Sequence, residues 1–259
     1  MDEILKQFAI MFPEINNALG AGIMIFLRLV GMMRLAPVIS KSEIPMMVRI
    51  SFALICTILL TGIIKPAPPA PDTPIYFCMF LNFVFGALVG YVANCILAAV
   101  SAGGDMINTQ MGMSSAMVMD PSTRSQVSIM SNYFSTLGML IFIYSGGIYW
   151  LFNAFIKSFT VFPMYSVNFH FENIINVQYL SDITANILFM GLHIAAPILL
   201  ATLGQDIILG IISKTAPQIN VFSLSFLFKP VLGAFILIVI LPMLISVITD
   251  YLVSFAGIF

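Results

Sequence analysis

Charge is what this sequence has least of. Of 259 residues only 10 are Lys or Arg and 11 are Asp or Glu, 8% in all, where a soluble globular domain carries about 25%. Too few charges are present to cover a water-soluble fold of this length, which excludes a cytosolic enzyme and a disordered chain. A net charge of −1 leaves no basic surface for nucleic acid. Histidine is nearly as scarce. His170 and His193 are the two, neither with a ligand-type residue three or four positions away, so no metal centre is indicated. Cys56, Cys78 and Cys95 are scattered through apolar segments without a Cys-x-x-Cys pair and read as packing residues. Walker and Gly-x-Gly-x-x-Gly patterns are absent. Gly112-Met113-Ser114-Ser115 departs from the Gly-x-Ser-Gly of an intramembrane serine protease, and no general base lies near it in sequence. No catalytic residue, metal ligand or cofactor is expected.

What is there is apolar: 60% hydrophobic residues and a mean hydropathy of +1.06. The few charges punctuate long tracts, about 15–33 (interrupted by Arg28), 50–64, 75–101, 125–156, 183–205 and 230–249. A helix crosses a bilayer with about 20 apolar residues. The expected fold is therefore all-α, a polytopic membrane protein of kinked helical hairpins occupying 1–259 as one membrane domain. Tract 50–64 is short for a crossing. The uncharged runs 73–104 and 125–156 are too long for one upright crossing, so tilt, a kink or a break is expected, with Gly86 and Gly90 as candidates in the first and Gly146–Gly147 in the second. Pro66–Pro74 reads as a stiff, non-helical connector. Residues 1–13 lack the basic-then-apolar pattern of a signal peptide, so the first tract is expected to be retained. Six crossings put both termini on one side. Six Lys and Arg fall in the loops after crossings 1, 3 and 5, against three on the other side, which orients the termini outward.

Arg28 is the one permanent cation inside a tract, and is expected either to snorkel or to pair with an acid on a neighbouring helix. Small residues such as Gly86, Gly90, Ala98 and Ala102 suit close helix approach. Residues 101–121 hold five methionines (106, 111, 113, 117, 119) among Gly, Ser, Asn and Gln, and end on Asp120-Pro121. That is too polar for lipid and too Met-rich for a solvated loop. Two readings stand: a packed hairpin turn, or a flexible constriction that repacks against varied surfaces. A second such segment, Ala216-Pro217-Gln218-Ile219-Asn220-Val221-Phe222, puts amides and a proline into an apolar run. It is either a surface loop or a packed turn that contacts other subunits.

Taken in order, Arg28 with Gly31, Pro37, Ile44-Pro45, Val48-Arg49, Gly104, Gln110, Gly112, Asp120-Pro121, Gly146-Gly147, Ser158, Pro163, Pro197, Leu209-Gly210, Ala216-Pro217-Gln218, Asn220, Phe222 and Lys229 resemble the FliR/SctT family of type III secretion export proteins along essentially the whole chain. Lys214 departs from the family's usual Arg. Gly146-Gly147 resembles the virulence injectisome branch, and Gln110-Met111-Gly112 the flagellar branch. The resemblance implies a non-enzymatic subunit of the inner-membrane export gate. It implies assembly with FliP-like and FliQ-like subunits, and an FlhB-like one, into a channel for unfolded secreted proteins. It further implies that 108–119, with Gln110, Met111, Gly112, Met113, Ser114, Met117 and Met119, plugs the closed pore. In that family the assembly sits largely above the bilayer plane, so the apolar tracts would pack on sister subunits as well as lipid. Arg28, Gly86, Gly90, Asp120, Pro121, Gly146, Gly147, Pro217, Gln218 and Asn220 are the expected structural and interface residues. The competing class is a transporter or channel acting alone.

Overall fold

The computed structural model describes residues 13–40, 44–64, 74–113, 117–119, 126–166 and 177–256. Each apolar tract becomes a helix: α1 (Pro13–Leu35), α2 (Met46–Ile63), α3 (Ile75–Gln110), the pair α4 (Ile129–Tyr144) and α5 (Gly147–Val161), α6 (Val177–Thr215) and α7 (Val221–Ala256). Among the described residues the strands are β1 (Met117–Met119) and β2 (Gln126–Ser128), which form a two-stranded antiparallel ribbon. Ser114, Asp120, Pro121, His170 and most of the Pro66–Pro74 connector lie outside the described residues.

Five of these helices are long and apolar enough to cross a membrane, or six if the broken pair α4–α5 is one span. Several overshoot a crossing. The 39 residues of α6 and the 36 of α7 measure about 58 and 54 Å at 1.5 Å per residue, against about 30 Å of hydrocarbon. Tract 50–64 is extended at its start by Met46–Arg49 to an 18-residue helix, about 27 Å.

The two long tracts behave differently. The second breaks at Gly146, whose φ of +79° lies in the left-handed region that glycine enters without penalty. The first does not break. α3 runs continuously through Gly86 and Gly90 for 36 residues, which corrects the expected kink. A helical glycine interrupts nothing by itself, and these two are used for close packing.

Two compact units form. One comprises Met1–Asn94 and Tyr149–Val177, the other Cys95–Ile148 and Gln178–Phe259, so α3 contributes to both. The core of the first is the inward face of α1 (Ala21, Met24, Ile25, Leu29, Met32) with Ala53 and Leu60 of α2, Cys78 of α3, and Leu151 and Phe155 of α5. In the second, Ala99 and Val100 of α3, Phe134 of α4, Ile194 and Ile198 of α6 and Ile248 of α7 are fully buried. Large apolar side chains remain outside. Phe222, Phe226, Phe228, Phe235 and Ile238 on α7 are more than half exposed, as expected for a surface that meets lipid or other subunits.

Candidate functional site

The Met-rich segment is built on the end of α3. Asn108 and Met111 face inward there, 2% and 0% exposed. The helix stops at Gly112, whose φ is +71° and whose N–H reaches the Thr109 carbonyl at 3.1 Å. This is the left-handed glycine stop common at helix ends. Further along the chain comes the ribbon, in which Met117 pairs with Ser128, Val118 with Val127 and Met119 with Gln126.

The base of this hairpin is clamped from three directions. Ser128 caps α4 by accepting the Ser131 N–H at 3.1 Å, and its hydroxyl donates to the Asp105 carboxylate. Ser131 Oγ donates to the Ser101 carbonyl at 3.2 Å. Glycines make the clamp possible. A Cβ on Gly104 would lie 2.7 Å from the Met130 carbonyl oxygen, and one on Gly103 would lie 3.0 Å from the Gly191 carbonyl oxygen. Met111 seats its side chain where Gly233 of α7 has none: a Cβ on Gly233 would fall 2.6 Å from Met111 Cγ. Met111 is thus a packing anchor of its own unit. Gln110, Gly112 and Met113 are half-buried at the lip, and Met117 and Met119 lie on β1.

Arg28 lies elsewhere, at the centre of the first unit, and is 0% exposed. It does not snorkel, and among the described residues its acceptors are neutral. Nε donates to Asn82 Oδ1 at 3.0 Å, Nη1 to Ser158 Oγ at 3.1 Å and Nη2 to the Phe162 carbonyl at 2.9 Å. The guanidinium lies 4.0 Å from the centroid of the Phe159 ring and 5.6 Å from that of Phe162. Neutral oxygens and π faces therefore hold the cation, a combination that suits a planar, weakly hydrated guanidinium better than a strongly hydrated ammonium. Asn82 Nδ2 donates in turn to the carbonyls of Cys78 (2.8 Å) and Met164 (2.9 Å). The group ties α1, α3 and the turn after α5 together. Backbones meet here because α1 and α3 interlock through glycine: a Cβ on Gly86 would lie 1.8 Å from the Arg28 carbonyl oxygen, on Gly31 2.1 Å from that of Phe83, and on Gly90 2.4 Å from that of Met32. In the following turn, burial pushes the Tyr165 phenol above its ordinary pKa, and the Cys78 thiol adds in the same direction.

The amide segment is an exposed turn. Asn220 caps α7, its Oδ1 accepting the Ser223 N–H at 3.3 Å. Pro217 and Gln218 are exposed. Lys229 of α7 reaches back to Asp206 of α6 at 2.7 Å. Among the described residues no group of three His, Cys, Asp or Glu is placed to hold a metal ion.

Asn82, Phe159 and Gly233 were not singled out from the sequence. Asn82 had a signal: it is one of two amides, with Asn94, in an uncharged 32-residue run. Gly233 and Phe159 had none, since Gly and Phe are ordinary in apolar helices.

Against this geometry, residues 19–254 match the family described as Bacterial export proteins, family 1. The chain belongs to that family. Relatives of this export family include the Flagellar biosynthetic protein FliR of Escherichia coli K12, 25% identical over 225 residues, which cover 84% of this chain and 83% of that protein. The FliR of Bacillus subtilis 168 is 27% identical over 234 residues, 89% of each chain. The Surface presentation of antigens protein SpaR of Shigella flexneri is 28% identical over 166 residues, 64% of this chain and 62% of that one. Family membership and the apolar helices together make this export protein a multi-helix membrane protein.

Proposed function

We propose that the chain is a non-enzymatic core subunit of the type III protein export gate that serves flagellar assembly. It acts within the export apparatus alongside other subunits, and in this reading those are FliP-like, FliQ-like and FlhB-like proteins of the bacterial inner membrane. All of 1–259 works as one gate subunit. The cargo is unfolded secreted protein, and nucleic acid has no part.

The observation that carries the reading is the Met-bearing ribbon beyond Gly112, hydrogen-bonded at its base through Ser128, within a chain that matches the export family over residues 19–254. A clamped base beside a Met-rich segment suits a plug. The segment from Met113 through Met119 closes the resting channel, and Met111 anchors its start against Gly233. Opening requires a second arrangement of the segment of similar free energy, favoured by engaged cargo.

The likeness to SpaR supports a second reading, the injectisome counterpart. The flagellar reading is favoured because the FliR relatives are covered over 83% and 89% of their lengths and SpaR over 62%. Deletion in the native host separates them. Loss of flagellar filaments supports the flagellar gate, and loss of effector secretion with filaments intact supports the injectisome. Neither loss would overturn both.

A further inference from the structure

The corner between α1 and α2 holds a cleft of about 200 Å³ lined by Val30, Met33, Arg34, Met46, Arg49 and Ile50. We propose that this cleft binds the headgroup of an anionic phospholipid. The inference is separate from the plug and goes beyond the role in export.

Three observations carry it. First, the lining combines four apolar side chains with two guanidiniums, the pairing a phosphate with attached glycerol and acyl chain requires. Second, the depth is right. Arg34 stands in the last turn of α1 and Arg49 in the first turn of α2, both helices being apolar enough to span. The cleft therefore opens where the apolar spans end. Third, the pocket is shaped in advance. Arg49 is held by donating from Nε (3.1 Å) and Nη2 (2.9 Å) to the Ile44 carbonyl. The chain leaving α1 is locked in a tight turn at Val38, φ +69°, with the Ile39 N–H bonded to the Pro37 carbonyl at 2.8 Å. A β-branched residue with positive φ is strained backbone, held only where its surroundings over-determine it. Planar guanidiniums bind phosphate oxygens in pairs, and each basic side chain at a membrane surface contributes about 1 kcal/mol toward anionic lipid, roughly fivefold in affinity.

The test is native mass spectrometry of the full-length chain in mild non-ionic detergent, titrated with dioleoyl phosphatidylglycerol, dioleoyl phosphatidylcholine or inorganic phosphate. The expected result is a phosphatidylglycerol adduct at least about tenfold tighter than the phosphatidylcholine one. Arg34→Gln should weaken it about fivefold and Arg34→Lys much less, whereas Lys214→Gln in the other unit should leave it unchanged. Arg34 is exposed, so its variants keep the fold, and circular dichroism checks that they do. Equal binding of the two lipids, or an Arg34→Gln adduct as strong as the parent's, would overturn the proposal. So would displacement of the lipid by millimolar phosphate, which would make the site one for free phosphate.

Discussion

Arg28 and Asn82 complete each other's hydrogen bonding in the interior of the first unit. The Asn82 carbonyl oxygen accepts from Nε at 3.0 Å, while its amide nitrogen spans the carbonyls of Cys78 and Met164. A buried cation held by neutral acceptors depends on each of them. Asn82→Leu is therefore expected to cost about 2–3 kcal/mol, the scale of a buried hydrogen bond to a charged group. Arg28→Met with Asn82→Leu should cost less than the two single changes added together, because the stranded charge is gone. Thermal unfolding of the detergent-solubilised chain reads both, and strict additivity would show that the two residues are independent.

Glycine positions separate sharply by what faces them. Gly86→Ala places a Cβ 1.8 Å from a backbone oxygen of α1, and neither helix has a flexible side chain there to yield. Expect a loss of about 3 kcal/mol or failure to fold. Gly204→Ala, on α6 with nothing within 4 Å of the new Cβ, should be neutral or stabilising by up to about 1 kcal/mol. Melting temperatures of the pair decide it. Equal effects would remove the α1–α3 interlock as an explanation.

Within the proposed plug, Met111 and Met113 should respond differently. Met111→Ala empties the space over Gly233 and should cost about 2–5 kcal/mol. Met113→Ser, half-exposed at the lip, should change stability by less than about 1 kcal/mol and raise the resting conductance of the reconstituted gate. A Met113→Ser gate as tight as the parent would exclude Met113 as part of the seal.

Ser128→Ala removes the cap of α4 and leaves the Asp105 carboxylate without that donor. A lost cap costs about 1 kcal/mol. The ribbon base should loosen first, seen as faster amide exchange at Ser131 while the exchange of mid-α6 amides stays unchanged.

The Lys229–Asp206 pair joins α6 to α7 at 2.7 Å with side chains 21% and 42% exposed. Such a pair contributes at most about 1 kcal/mol and is screened by salt. Lys229→Ala should thus lower stability slightly at low ionic strength and hardly at all at 0.5 M salt, measured by parallel thermal melts.

The fold class and the positions of the helices were legible in the sequence because both follow from one-dimensional facts. Charges interrupt apolar tracts, and each tract bounded by charge, proline or amide became a helix or a broken pair of helices. Gly146 was legible as a break and Gly112 as a point of irregular backbone for the same local reason, since glycine alone enters positive φ freely. The partners were not. Arg28 reads as a charge awaiting an acid, yet its acceptors lie 54, 130 and 134 positions away and all are neutral. Gly86 and Gly90 read both as kinks and as points of close helix approach, and only the second holds, because whether a helical glycine bends or receives a neighbour depends on what packs against it. Met111 and Met113 have the same composition around them, and only the bare backbone of Gly233 makes the first an anchor. Local chemistry is written along the chain, so the sequence determined an all-helical membrane protein with an unusual Met-rich turn. Which side chain meets which is a property of distances between residues far apart in sequence, and tertiary structure alone decided it.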